Sequence, residues 1–187
     1  MTLFELLFAL SSVILGLALA NLASSLQRLA LKGREVRWAP EPLLQAALIT
    51  LIIIQVWLDQ WFSKDMKQLV YAAATLTILR LMTLFFAAAS CLPDSDLLGD
   101  GAFDLKAYYY RARKLSYGAM IIGLWLFALT GILNGYSDWQ SNLVGFVVGP
   151  GLYGLLIWSD RRWLHILVLL FVLGAWGVPT MMLDIKT

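Results

Sequence analysis

The sequence predicts an all-α protein, a polytopic transmembrane bundle of six spans, and three observations carry that expectation. The chain of 187 residues is 60% hydrophobic, with a mean hydropathy of +0.76. Only 14% of it is charged, where soluble domains run near a quarter. Apolar runs of the length a bilayer requires, about 20 residues, recur between short polar turns. They cover residues of about 3–31, 43–62, 68–90, 115–134, 142–159 and 163–183. Little chain remains outside them, so residues 1–187 are read as a single integral membrane domain with no soluble domain.

The first run, Leu3 to Leu22, continues through Ala23 to Leu31 and carries Glu5 where a signal peptide would be basic, so it is read as a retained span. Lys32 to Arg37 form a basic turn. Trp38 sits at the interface, and Pro40 and Pro42 open the second span, where a missing N–H is harmless. Within Leu43–Phe62 the polar residues are not scattered. At 100° per residue Gln45, Gln55 and Asp59 fall within about 80° of one another, and Gln55 and Asp59 are neighbours at i,i+4. Such a stripe should face other helices or water, because an unpaired polar group in hydrocarbon is costly.

Ser63 to Lys67 reads as a hairpin that makes the second and third spans antiparallel neighbours. The third span, Gln68 to Ser90, carries Arg80 near its centre. Asp94 to Asp104 is acidic and turn-rich but fails the calcium-loop template. Counting from Asp94, the places for an oxygen ligand, a glycine and a glutamate hold Leu98, Gly99 and Leu105. It is read as a solvated loop, with Asp104 as the N-cap of the next helix. Lys106 to Lys114 then interleaves three tyrosines with basic residues ahead of the fourth span. Lys106, Arg111, Arg113 and Lys114 are expected to meet anionic lipid headgroups at the cytoplasmic face. His165, beside Arg161, Arg162 and Trp163, reads as interfacial.

The fifth span should be kinked or broken at Gly149-Pro150-Gly151. Proline there leaves the Phe146 carbonyl without its usual donor, and the flanking glycines allow close approach. Most basic residues, among them Arg28, Lys32, Arg34, Arg37, Arg161 and Arg162, cluster at the turns following the first, third and fifth spans. The positive-inside rule then puts both termini on the non-cytoplasmic side of the inner (plasma) membrane of a bacterial cell.

Arg80 is the anomaly to explain. A guanidinium at mid-bilayer costs between about 3 and more than 10 kcal/mol depending on the measure, so it should point inward and be paired. In a hairpin centred on Asp65, Arg80 is level with Thr50, and Asp59 lies roughly 13 Å nearer the outer surface at 1.5 Å per residue. By that count Asp59 is too far, and the carbonyls freed around Gly149 and Gly151 are the expected acceptors.

Function classes narrow accordingly. There is no HExxH, no GxSxG with a partner histidine and no phosphate-cradling loop, so no enzyme is expected. The single cysteine and single histidine exclude a thiolate cluster or an intrachain bis-histidine haem, and no cofactor is expected. The net charge of +2 lies in turns, where orientation accounts for it, so no nucleic-acid partner is expected. The expected function is a small oligomeric transporter or channel for a small solute, an anion included. Its site is assigned to Arg80, Gln55, Asp59, Gln45, Thr50, Gly149 and Gly151. The alternative is a non-catalytic accessory or assembly subunit of a larger membrane complex, with the chain as a homo-oligomer or bound to a partner membrane protein.

Overall fold

The computed structural model describes residues 3–62, 71–98, 101–135 and 139–181. Nearly all of that length is helical, because long apolar segments in hydrocarbon must satisfy their backbone groups internally. The helices are α1 (Leu3–Lys32), α2 (Pro40–Phe62), α3 (Tyr71–Cys91), the single turn α4 (Ser95–Leu98) and α5 (Leu105–Leu133). They are followed by α6 (Trp139–Leu143), a π-helical segment (Val144–Val148), α7 (Gly149–Trp158) and α8 (Arg162–Met181). Among the described residues, α1, α2, α3 and α5 are long and apolar enough to cross a membrane. The segments Val144–Trp158 and Arg162–Ala175 are shorter apolar helices. The hairpin expected at Ser63 to Lys67 lies outside the described residues.

α3 packs most extensively on α5 and then on α1, while α5 also packs on α7, and α2 packs on α8. The buried core between them is aliphatic with a few aromatics, including Leu15, Leu48, Ile49, Ile53, Leu81, Tyr117, Leu156 and Leu169. Outward faces carry large apolar side chains such as Leu17, Phe86, Trp125 and Phe171. A bundle with so much exposed apolar surface matches a lipid environment, and the chain is a membrane-embedded helical protein.

The fifth apolar segment is irregular, as expected, but the irregularity begins ahead of the proline. Val144–Val148 are wound as a π-helix, and the Gly149 N–H donates to the Val144 carbonyl five residues back. Pro150, with no N–H, then falls in the first turn of α7, where none is required. Glycine is required here for space: a Cβ on Gly145 would lie 2.8 Å from the Ala128 Cβ of α5.

Two departures from the sequence expectation occur at one end of the bundle. The basic turn and the acidic loop are not independent. Val36–Arg37 (β1) pairs in parallel with Phe103–Asp104 (β2), Arg28 forms an ion pair with Asp94, and Lys32 donates to the Leu98 carbonyl at 2.6 Å. Two-residue strands have too few positions to show a period of two, so pattern reading does not find them. In addition, α5 begins at Leu105, ten residues before the expected span. The Asp104 carboxylate caps it by accepting from the Ala107 N–H at 2.9 Å. Residues 105–114 are therefore three turns of helix with an inner face.

Candidate functional site

A cavity of about 90 Å³ lies between α2, α3, α5 and α7, half open on one side. α2 contributes Ile52, Gln55, Val56 and Asp59; α3 contributes Arg80, Thr83 and Leu84. α5 supplies Met120, Gly123, Leu124 and Phe127, and α7 supplies Tyr153. The walls are apolar apart from a few converging polar groups, the usual make-up of a small-molecule site.

Arg80 is half-buried, with its guanidinium carbon 4.8 Å from the centroid of the Phe127 ring. A cation over an aromatic face is worth about 0.5–2 kcal/mol. Asp59 lines the same cavity, so the two opposite charges share its wall. The depth count, which set Asp59 too far from Arg80, did not anticipate that. The count compared backbone levels, but a helical side chain leans toward the N-terminus of its own helix. α2 and α3 run in opposite directions, so the lean of each side chain toward its own helix N-terminus narrows the separation that the backbone count gives.

Gln55 shares the cavity, and its buried Oε1 has no hydrogen-bond partner among the described residues. The third member of the stripe does not join them. Gln45 lies ten residues back, roughly 15 Å along the helix. It is buried there, donating from Nε2 to the Ser116 Oγ at 2.7 Å, and Ser116 in turn donates to the Ala87 carbonyl at 3.0 Å. Gln45 thus ties α2, α5 and α3 together and is not a cavity residue.

Thr50 is likewise no part of the cavity; its hydroxyl donates to the Ala46 carbonyl of its own helix at 2.9 Å. Gly149 and Gly151 do not line it either. A Cβ on Gly149 would meet the Leu124 Cδ1 at 2.6 Å, whereas one on Gly151 would meet nothing within 4 Å. The cavity residue from α7 is Tyr153, one turn further on, and the partner found for Arg80 is the Phe127 ring of α5 in place of the Gly149-Pro150-Gly151 triplet.

Gly123 is needed where α3 and α5 cross beside the cavity. A Cβ there would fall 2.7 Å from the Thr83 Oγ1, a hydroxyl already donating to the Arg80 carbonyl at 2.7 Å.

A second polar assembly occupies the end of the bundle that carries the basic turns. Arg113, grouped by sequence with headgroup-facing residues, is instead 8% exposed and paired to Asp160, while Lys106, Arg111 and Lys114 are exposed. The early start of α5 is the reason. Leu105, Tyr109, Arg113, Ser116, Tyr117 and Met120 recur at helical spacing and form its buried face. His165 is not interfacial but fully buried, flanked by the Tyr109 and Tyr110 rings. Glu41, also fully buried, accepts from the Arg162 Nε at 2.6 Å. The spacing of Tyr109, Arg113 and Tyr117 was the sequence signal for this assembly; Glu41 and Tyr153 had none.

The fold and cavity define a class, a membrane-embedded helical bundle with a small, mostly apolar chamber that bears two opposite charges on its wall. Comparison with known protein families, with curated proteins and with solved structures finds no match to this chain. Among the described residues no group of histidine, cysteine, aspartate or glutamate side chains could hold a metal ion.

Proposed function

We propose that the chain is a six-span transporter or channel for a small solute, with its binding site in the Arg80 cavity. The observation that carries this reading is that two opposite charges, Arg80 and Asp59, line the wall of a chamber between four helices, with a buried Gln55 oxygen that has no donor among the described residues. Ionisable groups within membrane helices are expensive and mark solute or ion pathways. In this reading α6, the π-segment and α7 together form the fifth span, roughly 30 Å at 1.5 Å per residue, and α8 the sixth. Both termini lie outside the cytoplasm, in an inner membrane. A chamber of this volume takes about three waters or a solute of a few heavy atoms, and six helices enclose little more, so the transporting unit is oligomeric.

Asp59 changes which solute suits the site. An anion alone would have to displace a carboxylate that already answers Arg80. A zwitterionic or strongly dipolar solute satisfies both, offering an acceptor to Arg80 and a donor to Asp59 or to the Gln55 oxygen. Opening and closing of the pair then serves as the gate, and the π-segment next to the cavity helix α7 supplies the irregular backbone such motions use. The alternative is a non-catalytic accessory subunit of a larger membrane complex, its exposed apolar faces packed against a partner; the cavity with its two opposite charges favours the solute reading.

The test is flux. Proteoliposomes are loaded with a panel of small neutral, anionic and zwitterionic solutes, and efflux is compared for wild type, Arg80→Gln, Asp59→Asn and the charge exchange Arg80→Asp with Asp59→Arg. Wild type should move zwitterionic or dipolar solutes fastest, each single variant should lose at least tenfold, and the exchange should recover part of it. No flux of any solute by wild type, or full flux by both single variants, defeats the proposal.

A further inference from the structure

Away from the cavity, the only histidine of the chain sits in a buried file of hydrogen bonds. His165 Nε2 lies 2.7 Å from the Ser159 carbonyl oxygen and Nδ1 lies 2.7 Å from the Tyr109 hydroxyl, which is 2.9 Å from the Tyr117 hydroxyl. His165, Tyr109 and Tyr117 are each no more than 1% exposed. The Ser159 carbonyl also takes Arg113 Nη1 and can only accept, so Nε2 carries a proton. In the neutral ring Nδ1 must then accept. Tyr109 therefore donates to Nδ1 and itself accepts from Tyr117, so the neutrality of one ring sets the direction of both hydroxyls.

A proton added to the Nδ1 lone pair reverses the file. Nδ1–H donates to Tyr109, Tyr109 donates to Tyr117, and the Tyr117 O–H is turned out of the file. One proton comes from solvent, one N–H bond forms, and no bond between heavy atoms changes. The Tyr117 ring stacks on Tyr153 with centroids 5.7 Å apart and planes at 18°, and Tyr153 and Met120 line the Arg80 cavity. The far end of the file is thus packed on the cavity wall.

The charges around the ring are balanced before that proton arrives. Glu41 of α2 and Asp160 of the 159–161 turn are negative; Arg113 of α5 and Arg162 of α8 are positive and paired to them. Tyr109 and Tyr110 of α5 complete the titratable neighbours. Asp160 is exposed and marks the solvent-facing side of the cluster. Glu41 Oε2, Arg113 Nε and the Tyr110 hydroxyl are buried without hydrogen-bond partners among the described residues, so the cluster has polar capacity to receive a hydrated proton.

We propose that His165 is a proton-binding site whose protonation, passed through Tyr109 and Tyr117, alters the hydrogen bonding at the cavity wall and makes cavity occupancy respond to pH. The link to occupancy rests on the reading of the cavity as a solute site; the proton site does not.

The experiment uses the full chain in lipid nanodiscs with ¹⁵N-histidine and ¹³C-methyl methionine. A single histidine yields one set of imidazole resonances, and Met120 is assigned through Met120→Leu. At high pH the ring should be the Nε2–H tautomer. Charged-group hydrogen bonds are stronger than neutral ones, so loss of the Tyr109 hydroxyl should lower the His165 titration midpoint by about half a pH unit or more. Tyr117→Phe, which does not touch the ring, should lower it as well, and a role confined to the ring's own contacts would not produce that. The Met120 methyl shift should follow the His165 midpoint in wild type and cease to do so in Tyr117→Phe. Should either variant fail to fold, fluorotyrosine incorporation, which makes each phenol a weaker acceptor, should lower the midpoint in the wild-type fold.

An Nδ1–H tautomer, a ring that does not titrate between about pH 4 and 9, an unmoved midpoint in Tyr117→Phe, or an unresponsive Met120 methyl overturns the proposal. A titrating file in a protein that moves no solute removes the cavity reading alone. Solute flux alongside an unmoved midpoint removes the proton relay alone.

Discussion

Replacing Asp59 with asparagine should cost more stability than replacing Arg80 with glutamine, although the two side chains belong to one pair. The reason is where each charge is left. Arg80 is half-buried and ten residues into α3, under the Phe127 ring; Asp59 is exposed and three residues from the end of α2. Removing one partner of a fully buried pair costs about 3–5 kcal/mol, and partial exposure of Arg80 cuts that to about 2 kcal/mol for Asp59→Asn. The contact with Phe127 survives and limits the loss. In Arg80→Gln the remaining carboxylate rehydrates at the helix end, and the cost is about 1 kcal/mol or less. The double variant removes both charges at once, so it should be more stable than the sum of the singles requires, with a coupling of about 1 kcal/mol. Reversible unfolding in bicelles measures all four members of the cycle. The pairing argument is refuted if Asp59→Asn is no worse than Arg80→Gln, or if the double variant equals the sum.

Two further outcomes test the packing that frames the site. Gly145→Ala places a methyl 2.8 Å from the Ala128 Cβ, against an optimum of about 3.5–4.0 Å between carbons; neither atom can rotate away. It should destabilise by about 1–3 kcal/mol, less up to about 1 kcal/mol returned by helix propensity, and Ala128→Gly added to it should restore most of the loss in a thermal melt. Ser116→Ala removes both the acceptor of Gln45 and the donor to the Ala87 carbonyl. It should cost about 1–3 kcal/mol in the same assay, with Gln45→Leu added to it losing less than the two single costs combined.

Much of the membrane architecture was legible because hydropathy and span length are properties of the chain itself. α1 and α2 follow the apolar runs closely, and the fifth segment is irregular beside Pro150 as the sequence led one to expect, though the irregularity lies ahead of the proline. What composition hid was direction. Asp59 and Arg80 were judged apart because sequence counts backbone rise and ignores the lean of side chains, which for opposed helices adds at both ends. Arg113 was placed at the lipid interface because Lys106 to Lys114 reads as a basic, aromatic segment, and His165 because Arg161, Arg162 and Trp163 stand beside it. Extending the helical period back from Tyr117 through Arg113 and Tyr109 to Leu105 would have turned that segment inward. The β1–β2 pairing and the partnership of Glu41 with Arg162 join segments far apart in sequence, and nothing local to either announces them.

The two polar assemblies are separate in position yet share one structural element. The buried face of α5 carries Tyr109, Arg113 and Tyr117 at one end, and the same helix supplies Met120, Gly123, Leu124 and Phe127 to the cavity. Between them Ser116 pins α5 to α2 and α3 through Gln45 and the Ala87 carbonyl. This clamp bears on how a signal could pass. A rigid shift of α5 along its axis would break the Ser116 bonds, whose buried groups would then lack partners at a cost of about 1–3 kcal/mol. Reversal of the Tyr109 and Tyr117 hydroxyls needs only rotation about C–O bonds. In the proposed relay, communication between the His165 end and the Arg80 cavity is therefore cheaper through hydroxyl orientation and the Tyr117–Tyr153 stack than through helix sliding, because the Ser116 bonds hold the backbone of α5 in place.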